Sequence, residues 1–134
     1  MGLRNVVRPM FRIPVTSTLL LNDPHMLFSG ASASLPLRCE LDGVELSVSV
    51  KFEKVRAFRH RAEILCTTWH LNAYDTVSAV DDSDWVKELS AASQESPGFE
   101  FVMNHYLIFL ADSGAFEVVA ESAALESPDS LAVP

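Results

Sequence analysis

The sequence predicts an α+β fold: a mainly antiparallel sheet of about six or seven strands, able to curl toward a half-barrel, packed on one main α-helix near 83–95. Three observations carry this. Apolar and polar residues alternate strictly on both sides of Asp42-Gly43. A nearly unbroken apolar run precedes a second turn at Asp112-Ser113-Gly114. One stretch, opened by acidic residues, has helical spacing.

In chain order, Thr16–Leu21 and Met26–Ser29 are expected strands around an Asn22-Asp23-Pro24 turn. Leu35, Leu37, Cys39 and Leu41 then alternate with Pro36, Arg38 and Glu40. After Asp42-Gly43, Val44, Leu46, Val48, Val50 and Phe52 alternate with polar residues as far as Glu53. A period of two places one set of side chains on a buried face. Asp-Gly between two such runs suits a two-residue type I′ turn, in which both residues need positive φ. The alternation slips after Phe52, since Val55 and Phe58 stand at odd spacing from it. A β-bulge near Glu53-Lys54 would absorb the slip, and the strand would continue to about Arg59.

Residues 60–72 fit strand or helix, with Thr67, Thr68 and Trp69 favouring extended structure. Asp75 to Val80 reads as a short strand. Asp81-Asp82-Ser83-Asp84 then announces the helix: Ser83 or Asp82 can cap its free N–H groups, and the acids suit the positive end of its dipole. Trp85, Val86, Leu89 and Ala92 form its apolar stripe, which places Trp85 in the core, and Ser96-Pro97-Gly98 ends it. Phe99 to Leu110 is apolar enough for a central strand buried on both faces. The strand returning from the second turn uses Ala115, Phe116, Val118, Val119 and Ala120, with Glu117 and Glu121 as its polar positions. From Ser122 the periodicity fades. The expectation is one domain over 1–125 and a disordered tail over 126–134.

Composition bounds the function without naming it. The 134 residues are 49% hydrophobic and 21% charged, with a net charge of −8, which excludes collagen-like, coiled-coil and wholly disordered chains. The charge is uneven. Residues 1–61 hold nine of the ten Lys and Arg and only five acids, whereas residues 62–134 hold Lys87 against thirteen acids. A half that acidic repels phosphate backbones and anionic lipid and attracts cations. No segment nears the ~20 apolar residues of a membrane helix, and the start lacks the apolar run of a signal peptide, so the chain is expected to be cytoplasmic. Cys39 and Cys66 show no metal or disulfide spacing and are expected to be reduced.

His25, His60, His70 and His105 form no metal-ligand motif, and neither a nucleophile elbow nor a glycine-rich phosphate loop occurs. The sequence therefore calls for no cofactor, no metal and no enzyme. The basic run from Lys51 to Arg61 holds half of all Lys and Arg. It reads either as a phosphate-binding strand or as charges that guard a sheet edge or pair with the acidic half. Trp69, with an apolar body and a polar tip, is the best aromatic interface candidate.

Several pieces carry a resemblance: Phe52-Glu53-Lys54-Val55, Asp82-Ser83-Asp84-Trp85 opening a helix, His105-Tyr106-Leu107-Ile108-Phe109 before a turn, and Phe116 to Glu121 after it. Together they cover about half the chain. They resemble small uncharacterised bacterial proteins, some of which sit beside toxins and are thought to act as immunity partners. The resemblance implies a binding module and brings no catalytic residues.

The leading expectation is thus a non-enzymatic protein-binding module, in its sharpest form an acidic, immunity-like inhibitor of a cationic toxin. Its surface would hold Asp75, Asp81, Asp82, Asp84, Glu88 and Glu95, with Trp69. One alternative is a homodimeric structural domain in which basic and acidic surfaces of two copies meet. Another is a small enzyme or ligand-binding half-barrel, which a pocket holding His60, His70 or His105 beside a carboxylate would favour.

Overall fold

The structure is a computed structural model and describes residues 4–93 and 102–127. The described residues form mostly antiparallel sheet with one main helix, as the sequence predicts, but the strands among them number nine and lie in two sheets. They are β1 (Val6–Arg12), β2 (Leu27–Ser29), β3 (Ser32–Leu41), β4 (Val44–Glu53), β5 (Ala57–Arg61), β6 (Thr76–Asp81), β7 (Asn104–Leu110), β8 (Gly114–Ala120) and β9 (Ser122–Glu126). A five-stranded sheet has the order β1-β6-β7-β8-β5, and a four-stranded sheet the order β2-β3-β4-β9.

The two sheets face each other. Leu35, Leu37, Val50 and Phe52 from the four-stranded sheet close on Ile108, Leu110, Phe116 and Val118 from the five-stranded one. The β3–β4 hairpin matches its prediction: Leu41 pairs with Val44, and Asp42 and Gly43 have φ of 52° and 78°.

At Glu53-Lys54 the structure replaces the expected bulge with a change of sheet. β4 ends at Glu53, Lys54 takes φ 53°, and the next N–H groups part company. Val55 N–H donates to Ala31 O (2.7 Å) beside the four-stranded sheet, and Arg56 N–H donates to Val119 O (2.7 Å) in the five-stranded one. The slipped alternation marks a corner at which the chain turns between layers. The chain returns beside it, where Glu121 N–H donates to Glu53 O (3.0 Å) and β9 pairs with β4. Thus Ser122–Glu126, where the sequence loses its periodicity, form an edge strand.

Thr16–Leu21 is likewise not a strand. Ser17–Leu19 is a 3₁₀ turn, held because Ser17 N–H donates to the Asp75 carboxylate (3.2 Å) while Ser17 Oγ accepts Ala111 N–H (2.9 Å). Within 60–72 the chain leaves β5, makes a 3₁₀ turn at Glu63–Leu65 and a short helix α1 (Thr68–Leu71). Thr67 N–H donates to His70 Nδ1 (2.9 Å), which closes α1 at its start. The main helix, α2 (Asp84–Ser93), begins where predicted, with Val86 N–H donating to Ser83 Oγ (3.1 Å). The predicted helix end at 94–95 and the strand start at 99–101 lie outside the described residues.

The five-stranded sheet has a second apolar face. Leu107, Phe109, Ala115 and Val80 form a small cluster there with Ala73, covered by Cys66 and Trp69. Here the prediction of a strand buried on both faces holds for β7, whose residues from His105 to Leu110 are all buried.

Candidate functional site

The charge asymmetry along the chain is partly cancelled in space. Arg8 pairs with Asp81 (2.8 Å), Arg4 with Asp84 (3.7 Å), Lys51 with Glu126 (3.6 Å), Lys54 with Glu121 (3.1 Å) and Arg59 with Glu117 (2.9 Å). Each pair joins the basic N-terminal part to the acidic C-terminal part. Antiparallel pairing of β1 with β6, β5 with β8 and β4 with β9 brings these side chains together. Within the Lys51–Arg61 run, Lys51, Lys54 and Arg59 are therefore taken up by acids of the C-terminal part, while Arg61 donates to Leu65 O.

This redraws the expected acidic surface. Asp81 is held by Arg8, whose hydrogen bonds keep its carboxyl below the usual range. Asp82 pairs with Lys87 (2.6 Å), and Asp84 also accepts from Asn5 Nδ2 (2.9 Å). Asp75 does not belong to the surface at all. It is 3% exposed, with φ 51° at the entry to β6, and its Oδ2 takes Ser17 N–H. The need to satisfy the Ser17 turn from within explains its burial. Glu88 stays exposed, and Glu95 lies outside the described residues. Trp69 is half-buried; its indole N–H donates to Asn5 O (2.7 Å) and its ring stands edge-on to His70 at 5.0 Å.

Sequence reasoning missed a buried polar chain on the helix-covered face of the five-stranded sheet. Arg59 clamps Glu117 with two hydrogen bonds (3.0 and 2.9 Å). Glu117 Oε1 lies 2.7 Å from His105 Nε2, and His105 Nδ1 lies 2.7 Å from Ser83 Oγ. The Arg59 guanidinium stacks 4.1 Å from the Trp85 ring, which meets His105 edge-on at 5.1 Å. Trp85 is half-buried rather than core. The available signal was a charged residue, Glu117, inside a strand otherwise apolar on both faces.

With its proton on Nε2, His105 donates to Glu117 and accepts the Ser83 hydroxyl hydrogen, and the Ser83 oxygen accepts Val86 N–H. Burial pushes the Glu117 carboxyl up, but the hydrogen bonds from His105 and Arg59 and the positive charge of Arg59 outweigh it and hold it at about 2. Ser83, 5% exposed, is a helix cap tied to the sheet. The chain's evident work is to fix the start of α2 against β7 and β8. A cavity of about 290 Å³ reaches Ser83 and His105 between Arg8, Val86 and Met103.

A larger groove of about 420 Å³ opens beside the β7–β8 turn. Pro24, Met26, Phe58 and Phe116 form its apolar walls, and Asp23, His25, His60 and Asp112 bring polar groups. His60 Nε2 lies 2.6 Å from Ser113 O, and its ring lies 4.6 Å from Phe116. At the same end of the sheet, Glu63 accepts Asp112 N–H (2.5 Å). This places the Glu63–Leu65 turn next to the groove, with Ile64 90% and Leu65 65% exposed.

Among the described residues, no group of three His, Cys, Asp or Glu side chains is placed to hold a metal ion, and no helix is long and apolar enough to cross a membrane. Cys39 and Cys66 are free thiols. No protein-family model, curated protein or solved structure matches the chain.

Proposed function

We propose that this chain is a protein-binding module that docks a partner at the β7–β8 turn end of the five-stranded sheet. The observation that supports it is the exposure of Ile64 and Leu65, two large apolar neighbours on a short turn beside an open groove. Such side chains gain about 1.5–3 kcal/mol each on burial, and a rigid apolar knob next to a concavity is a common anchor arrangement. The Glu63–Leu65 turn is pinned by Glu63 on Asp112 and by the neighbouring Cys66 N–H on Glu63 O (2.9 Å), so little ordering entropy is lost when it docks.

An immunity-like inhibitor of a cationic toxin, acting in the cytoplasm, is the sharpest form of this reading. Its electrostatic support moves away from α2, where Asp81, Asp82 and Asp84 are already paired, and toward the groove. The test is retention of host proteins at low salt by the wild-type chain and by Ile64→Asp and Leu65→Asp variants. Loss of a retained protein in both variants, with unchanged thermal unfolding, is the expected result. Equal retention by all three overturns the proposed face, and retention only of a second copy of the chain favours the homodimer.

A further inference from the structure

The groove carries a more specific reading, which rests on the protein-binding proposal and names what the partner presents. Asp81, Asp82, Asp84, Glu53, Glu117, Glu121 and Glu126 each face a cation. Asp23 and Asp112, by contrast, have no side-chain hydrogen bond or ion pair among the described residues. Both line the 420 Å³ groove, and with Ser113 both line an adjoining cavity of about 130 Å³ behind it. They form the shared lip of the two spaces.

A further carboxylate, Asp75, lies one hydrogen bond beyond the wall of the smaller cavity and lines neither space. Ser17, in the wall of the rear cavity, donates its N–H to Asp75 Oδ2, while the buried Asp75 Oδ1 has no hydrogen-bond partner. Glu63 adds another on the Asp112 backbone. Low-dielectric walls concentrate the field of the two lining carboxylates, Asp23 and Asp112, in the concavity. Met26, Phe58 and Phe116 supply an apolar wall directly in front.

We infer that this groove receives an arginine side chain of the partner protein, its methylene stem against Met26, Phe58 and Phe116 and its guanidinium at Asp23 and Asp112. Carboxylates select a cation. The aromatic wall favours a flat, weakly hydrated guanidinium over a compact, strongly hydrated ammonium. The size of the groove falls in the range of about 300–1,000 Å³ typical of ligand sites.

The test is a titration of the ¹⁵N-labelled protein with Nα-acetyl-arginine methylamide, followed by amide chemical shifts. The lysine analogue and the uncharged citrulline analogue serve as comparisons. Saturable shifts at Phe58, His60, Asp112 and Ser113 are expected, weaker with lysine and absent with citrulline. Asp23→Asn with Asp112→Asn weakens the arginine affinity at least about tenfold, a loss of about 1.4 kcal/mol, in a protein whose spectrum stays dispersed. Shifts as large with citrulline as with arginine, or no saturable shift at these residues, overturn the inference. If the double variant still retains a partner that Ile64→Asp releases, the arginine site fails while the docking face stands.

Discussion

Glu117 Oε1 lies 2.7 Å from His105 Nε2 in a setting where the Glu117 side chain is only 3% exposed, and Arg59 completes the carboxylate's partners. This ion is buried but fully used. It gives the domain a pH dependence with a definite sign. The folded carboxyl sits at about 2 against an ordinary 4.5. A depressed folded value stabilises above the unfolded value and is lost as protons bind. Stability is therefore full above about pH 5 and falls as the pH drops from about 4.5 toward 2, by about 3 kcal/mol in total. Chemical denaturation across that range measures it. Glu117→Gln removes most of this slope and, at neutral pH, destabilises by about 2–4 kcal/mol, because Arg59 loses its counter-ion and His105 its charged hydrogen-bond acceptor.

Ser83→Ala removes the acceptor of Val86 N–H and the hydroxyl partner of His105 together. The expected cost is about 1–2 kcal/mol. Since no residue of α2 is buried, the loss concentrates in that helix. Hydrogen exchange should accelerate at the first turns of α2 while the amides of β7 and β8 stay protected.

Arg59→Lys keeps the charge and loses both the two-point clamp on Glu117 and the flat contact with Trp85. It should destabilise by about 1–2 kcal/mol and alter Trp emission before unfolding begins. A variant as stable as the parent, with unchanged emission, would contradict the stacking.

Gly114 and Gly43 both have positive φ but differ in surroundings. A Cβ on Gly114 (φ 97°) would meet the backbone of Arg61 and Ala62, whereas Gly43 (φ 78°) has open space. Gly114→Ala is expected to destabilise by more than about 2 kcal/mol, since strand β5 and the Glu63 turn must move, and Gly43→Asn by less than about 1 kcal/mol. Paired thermal melts check the contrast.

The parts legible in the sequence were local. Asp42-Gly43 with its alternating flanks, Ser83 as a cap and the apolar β7 each state their structure within a dozen residues. The parts that were not legible depend on partners far away in sequence. β1 shows little alternation and becomes a strand by pairing with β6. The slip after Phe52 looks the same whether the chain bulges or changes sheets. Arg8–Asp81, Arg59–Glu117 and the Ser17–Asp75 contact join residues 58 or more positions apart. For this reason a charge split that was plain along the chain did not reveal which acids stay unpaired. The groove, assembled from Asp23, Phe58 and Asp112 on three separate segments, had no sequence signature.

The docking claim is tested most directly by placing a photo-crosslinking residue at Ile64 in the native host and comparing it with the same residue at Glu40, exposed on β3 of the other sheet. A covalent adduct with a different, basic polypeptide is expected at position 64 and none at position 40. Adducts only with a second copy of the chain, or equal labelling at the two positions, would contradict it.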